Sequence, residues 1–277
     1  MVVNSLLSCV FLLLLQVPLA ACSEWNGLQR YGTYLLRERI TFINDTIVVQ
    51  NDTQYDIHTT HVLSITGLVL ADGVKPTIDG GSVPHPVPGN VPNKTGVRLF
   101  HVISPGNVTI TNVTFQRGYH NMSGGAFLLE GGTAYFVDCI FKENFVELNG
   151  AGMFATAGAT LTLVRTKFVH NQARQGGGLS IGYNMMFSNQ DPCSVFITDS
   201  IFSKNFVSHE RWNGGYTLEH YGLDSVALFR TRQHYGAGMF VGGGNVVLMR
   251  VHFTDNEAGN RPSMGWGAGA GLTAIEG

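Results

Sequence analysis

Phe141-Lys142-Glu143-Asn144, with Gly150-Ala151-Gly152 close behind it, decides the fold, because the chain keeps returning to it. Phe115-Gln116-Arg117-Gly118 precedes Gly124-Gly125-Ala126. Phe168-Val169-His170-Asn171 precedes Gly176-Gly177-Gly178, and Phe202-Ser203-Lys204-Asn205 precedes Gly236-Ala237-Gly238. Phe253-Thr254-Asp255-Asn256 precedes Gly267-Ala268-Gly269. The Phe-to-Phe steps are 26, 27, 34 and 51 residues. Self-similarity at such a period fixes an architecture more firmly than any single residue does.

Each unit holds two short apolar or alternating runs and no amphipathic run long enough for a helical repeat. One run follows the glycines (Ala126 to Leu129, Met153 to Ala155, Leu179 to Ile181, Met239 to Val241). The other leads into the Phe (Ala134 to Val137, Leu161 to Val164, Val195 to Ile197, Val246 to Met249). Runs of this length, rich in Val, Ile, Thr and Phe and bounded by Gly and Asn, read as strands. Two or three strands per turn, stacked at the ordinary strand spacing of about 4.8 Å, make an all-β, single-stranded parallel β-helix. Equivalent residues then lie on one another. Phe115, Phe141, Phe168, Phe202 and Phe253 are expected to form an internal aromatic ladder. Asn144, Asn171, Asn205 and Asn256 are expected to form a turn ladder of side-chain amides. The longer steps are insertions that leave the stack intact.

Working outward, residues 1–22 form an apolar leader centred on Leu6 to Leu15 and closed by Ala20-Ala21-Cys22, which reads as a secretory signal peptide. Its start has no Lys or Arg, and Leu19-Ala20-Ala21-Cys22 also has the form of a lipid-attachment box. No later segment is long and apolar enough for a transmembrane helix. Residues 23–104 are expected to hold an N-terminal cap, with a short helix between Trp25 and Arg39, and the first irregular coils; a β-helix must cover its exposed edge. Residues 105–277 are expected to be regular coils, interrupted by an insertion at about 206–235. The last unit reaches Gly267-Ala268-Gly269 with no polar cap behind it, so truncation is expected, or a terminal coil that contacts further repeats or another chain.

Pro76-Thr77-Ile78-Asp79-Gly80-Gly81 and Asn107-Val108-Thr109-Ile110-Thr111-Asn112-Val113-Thr114-Phe115 resemble the right-handed parallel β-helix (pectin lyase-like) superfamily. The Phe-x-x-Asn and Gly-Gly-Ala units that follow resemble the polymorphic outer membrane protein repeat of bacterial adhesins and of secreted proteins. The resemblance covers about residues 60–277 and implies a secreted or cell-surface protein. It leaves open a binding, adhesion or matrix module, an adhesin passenger cut short of its anchor, and an enzyme acting on acidic polysaccharide. The Asn-Thr-Asp and Gly-His-Gly signatures of polygalacturonases are absent.

Net charge of −2 with 13% charged residues gives no polycationic surface for nucleic acid. Six acceptor triplets, at Asn44, Asn51, Asn93, Asn107, Asn112 and Asn121, mark candidate N-glycosylation sites; the competing reading is Thr-rich β-turns. Cys139 and Cys193 occupy different coil positions about two coils apart, which suits buried thiols better than a bridge. No metal-spaced Cys/His cluster, nucleophile elbow or phosphate loop appears. The candidate acids are Asp138, Asp199 and Asp255, each two or three residues from a repeat Phe, with Arg165 and Arg250 or Val251 at or beside the position of the first two. A glycosidase needs two carboxylates at a set separation, and a lyase needs Ca²⁺-binding acids plus a base; Ca²⁺ is implied under the lyase reading alone, and no other cofactor is expected. A column mixing Asp with Arg reads rather as a solvated face, so no catalytic residue is assigned. His120, His170, His234 and His252 read as scattered surface or turn histidines. The richest candidate for ligand contact is the insertion, where Arg211, Trp212, Tyr216, His220, Tyr221 and Arg232 supply rings and guanidinium groups suited to a polysaccharide or surface glycan.

Overall fold

The structure is a computed structural model of the chain. It describes residues 39–43, 46–48, 55–57, 62–68, 73, 75–82, 98–103, 106–182, 191–207, 234–258, 267–268 and 270–274. The leader, the expected capping helix before residue 39 and the centre of the insertion lie outside these residues.

Every strand pairing among the described residues is parallel. The coil from 107 to 130 shows the unit: Asn107–Thr111 enters sheet 1, Thr114–Gln116 sheet 2, Tyr119–His120 sheet 3 and Phe127–Glu130 sheet 4. The next coil repeats this at Thr133–Val137, Ile140–Lys142, Phe145–Val146 and Met153–Thr156. Sheets 1, 2 and 4 each contain seven strands and sheet 3 contains five, so a full coil has four strands, one more than the sequence pattern led us to expect. The extra strand is two residues long, too short for an alternation to show. A separate pair, His234–Tyr235 with Gly267–Ala268, joins the turns before the last two sheet 4 strands. At the two edges of the expected insertion the chain is in strands. Phe206–Val207 is a sheet 3 strand paired with Gln172–Ala173, and His234–Tyr235 is already a strand again.

Strand alternation sends every second side chain inward. In sheet 1 the inward columns are Val108, Ala134, Leu161, Val195 and, beside it, Ile110, Phe136, Leu163, Ile197, all but fully buried. Sheet 2 contributes the aromatic stack. Successive ring centroids of Phe115, Phe141, Phe168, Phe202 and Phe253 lie 4.8, 4.8, 4.7 and 5.0 Å apart, with interplanar angles of 15° or less. The stack ends downward on Ile78, which pairs with Phe115. Phe136 meets Phe115, Phe127 and Phe141 edge-on, which ties the stack to the sheets on either side.

The turn after sheet 2 is wired along the axis. Asn144 Nδ2 donates to Phe115 O in the coil before it (3.2 Å) and to Asn171 Oδ1 in the coil after it (2.9 Å). Asn171 repeats this toward Phe141 O and Asn205 Oδ1, and Asn205 toward Phe168 O and Asn256 Oδ1. Each Oδ1 also accepts the backbone N–H of the preceding Asn, from Asn144 to Asn171 at 3.1 Å. Gly118 has no side-chain amide, yet its backbone N–H donates to Asn144 Oδ1 at 2.8 Å and closes the head of the ladder. Buried amides that satisfy both neighbours stabilise this turn where an unpaired one would cost about 1–3 kcal/mol. Cys139 and Cys193 are both free and buried.

Candidate functional site

The outward side of sheet 1 carries columns of side chains, several of them exposed. Its central column runs Thr109, Tyr135, Thr162, Phe196, Val247, in register from coil to coil. Tyr135 and Phe196 are 39% and 37% exposed, and Val247 is 51% exposed. To one side lies a polar column of Asn107, Thr133, Thr160, Ser194 and Asn245, all exposed. To the other side lie Thr111, Val137, Val164, Thr198 and Met249.

The corner between sheets 1 and 2 bounds this face. It is made by Asn112, Asp138, Arg165, Asp199 and Arg250, each with φ between 48° and 57°. A left-handed corner residue turns the chain and projects its side chain outward, so the polar side chains form a ladder along the axis. Arg165 donates to Asp138 twice, Nε to Oδ1 at 2.8 Å and Nη2 to Oδ2 at 2.7 Å. Arg250 grips Asp199 in the same fork, with Nη2 to Oδ2 at 2.8 Å and Nε on Oδ1. Thr198 Oγ1 donates to Asp199 Oδ2 at 3.0 Å. Lys75 Nζ donates to the backbone carbonyl of Asp138.

Electrostatics follow from this geometry. The Arg165 hydrogen bonds hold the Asp138 carboxyl below its ordinary value. The Arg250 hydrogen bonds, then that from Thr198, lower Asp199 to about 2. A carboxylate held this way stays ionised, the opposite of what a general acid requires. Arg250, not Val251, completes the column. Asp255 belongs to a different corner, between sheets 2 and 3, with Arg117, Glu143, His170 and Lys204 at φ of 52–57°. The three acids therefore do not converge, and Asp138 and Asp199 are separated by the Arg165 rung.

One histidine departs from the surface reading. His120 is mostly buried, and three donors meet its Nδ1: Arg98 Nη2 at 2.8 Å, Met122 N at 3.1 Å and Ser123 N at 3.3 Å. Arg98 also donates to the carbonyls of Gly124 and Ser123 at 3.1 and 2.9 Å. Burial, then the charges of Arg98 and His101, push the imidazole down to about 3. His101 Nε2 lies 3.0 Å from Glu130 Oε2 nearby. The group is a clasp between consecutive coils, its acceptor nitrogen fully used. It escaped sequence reasoning because Arg98 precedes the first repeat unit of the sequence, where no recurring residue indicates what stacks on what. Among the described residues no cluster of His, Cys, Asp and Glu is arranged to hold a metal ion.

Of the candidate glycosylation sites, Asn107 and Asn121 are exposed and Asn112 is half-buried in its corner, while Asn44, Asn51 and Asn93 lie outside the described residues. So do the insertion residues Arg211, Trp212, Tyr216, His220, Tyr221 and Arg232. The open sheet 1 face was not singled out from sequence. Tyr135 and Phe196 stand inside apolar runs, where an outward ring reads like an inward one.

Residues 45–222 match the family described as the right handed beta helix region. The chain belongs to the right-handed β-helix family. The match spans most of the coils described above and gives their winding its hand. No curated protein and no solved structure matches the chain significantly. Among the described residues no helix is long and apolar enough to cross a membrane. In this right-handed β-helix the sheet 1 face and its ion ladder are the candidate site.

Proposed function

We propose that the chain is a secreted or cell-surface module that binds polysaccharide through the outer face of sheet 1 and does not cleave it. The observation that carries this reading is the Tyr135–Thr162–Phe196 column, with both rings exposed and Thr162 half-buried between them, beside an exposed polar column. Rings that present an apolar face next to hydroxyl and amide groups suit sugars, which are apolar on their ring faces and polar at their edges. The ion-paired acids support binding without chemistry, since neither Asp138 nor Asp199 is placed to give up a proton. The leader at residues 1–22, the acceptor triplets and the likeness to the polymorphic outer membrane protein repeat support export to the cell surface or beyond it, in an adhesion or matrix role. The insertion rings and guanidinium groups, Trp212 and Arg211 among them, are proposed as a second contact.

Co-sedimentation of the full chain with a panel of insoluble neutral and acidic polysaccharides, with affinity electrophoresis for the soluble ones, tests the reading. At least one polymer is expected to retain the protein in a saturable way. Failure of every polymer to retain folded protein would overturn it.

A further inference from the structure

From the same face we infer the class and direction of the ligand: a neutral, extended glycan that lies along the helix axis, with sugar faces on Tyr135 and Phe196. The inference rests on the polysaccharide-binding reading. Three observations lead to it.

Spacing comes first. Tyr135 and Phe196 occupy one column two coils apart, with Thr162 between them. Two coils rise about 10 Å, the span of roughly two sugars in an extended chain. Alternate sugars then stack on the two rings while the hydroxyl of Thr162 meets the sugar between. A chain lying across the coils would meet one ring only.

Exposure comes second. Phe100, Phe115, Phe127, Phe136, Phe141, Phe154, Phe168 and Phe202 are fully buried. Against that background two aromatic rings more than a third exposed, in register on one sheet, are left for an occupant rather than for the core.

Charge comes third and selects among glycans. A uronate or sulfated chain needs a cation it can pair with. The guanidinium groups bordering this face, Arg165 and Arg250, are each forked onto a carboxylate, and the remaining cation of that corner, Lys75, lies at its foot with its ammonium on the Asp138 carbonyl. The lysines of the same coils, Lys142, Lys167 and Lys204, lie on sheet 2 or at its far corner, away from the rings. What faces the ligand beside the rings is hydroxyl and amide, from Thr133, Thr160, Ser194 and Asn245, which suits the edges of neutral sugars.

Calorimetric titration of the full chain with a neutral β-1,4-linked hexasaccharide and with an oligogalacturonate hexamer, at low and high salt, tests the inference. The neutral hexamer is expected to bind with little salt dependence. Tyr135→Ala and Phe196→Ala are each expected to weaken it roughly tenfold, and Tyr135→Trp to preserve it. Both changes are at exposed positions, and an unchanged melting curve shows that the variants fold. Full-strength binding of the neutral hexamer by the folded double alanine variant would overturn the inference. So would binding confined to the oligogalacturonate, lost in high salt and in Lys75→Ala, Lys142→Ala, Lys167→Ala or Lys204→Ala, although the broader reading would then survive. A chain that binds neither hexamer, and no polymer in the wider panel, would overturn both.

Discussion

Asn171 carries more of the fold than its size suggests. It is fully buried, and its amide donates to Phe141 O and Asn205 Oδ1 while its Oδ1 accepts from Asn144 N and Nδ2. Asn171→Ala strands Phe141 O and the Asn144 backbone N–H in the interior, so a loss of about 2–4 kcal/mol is expected from the midpoint of urea unfolding. Asn256→Ala should cost clearly less, since that rung is half-exposed; equal losses would mean that the ladder's burial is not what matters. His120 gives the chain a pH dependence of known sign. The unfolded histidine takes a proton near pH 6.5, whereas the folded one stays neutral down to about 3. The unfolded state therefore binds more protons across that interval, and stability must fall as pH drops through it. Between pH 6.5 and 4.5, above the range where Asp199 titrates, wild type should lose on the order of 1–3 kcal/mol. His120→Gln keeps an acceptor but cannot titrate, and it should flatten the curve. Identical pH profiles for the two proteins would remove the clasp from the account.

At the scale of the element, the Phe stack and the small-residue turns act together. Phe168 lies face to face with Phe141 and Phe202, at 6° and 1° between planes. Phe168→Ala should cost about 3–5 kcal/mol, and Phe168→Leu much less, because Ile78 already holds an aliphatic place at the foot of the column. Thermal unfolding of the pair checks this; equal shifts would show that the column requires a ring and that aliphatic volume does not replace it. Gly178 is needed for space rather than for its torsion. A Cβ there would lie 2.5 Å from Gly238 O and 3.0 Å from the Phe202 ring. Gly178→Ala should thus lower the melting temperature even though alanine tolerates the backbone, and an unchanged melting temperature would contradict the close approach of the coils. These are the positions that made the fold legible. Phe, Asn and Gly recur in the sequence because each meets its own copy one coil away. What stayed hidden is what does not stack on a copy of itself. The two-residue strands of sheet 3 are too short to alternate, and the Arg98–His120 clasp joins unlike residues. The outward ring of Tyr135 looks, in one strand, like the inward ring of Phe136 beside it.

For the whole molecule, the described coils stack so that their outer surface is a set of columns, and the proposed function rests on the column that carries exposed rings. Inside are Phe, Leu, Ile and Val; at one corner Asp138, Arg165, Asp199 and Arg250 neutralise one another; on sheet 1 rings and hydroxyls face outward. On the proposed reading such a surface holds a repeating polymer by repetition, and among the described residues the corner acids Asp138 and Asp199 are held ionised rather than poised as general acids. The measurement that tests this most directly is the fate of the bound polymer. Polysaccharide retained by the protein is recovered after prolonged incubation, and its chain length, reducing ends and unsaturated ends are determined. The account predicts an unchanged polymer that remains bound. Shortened chains or new ends, produced by the wild type and abolished by Asp138→Asn or Asp199→Asn, would contradict it and make the ion ladder a catalytic centre.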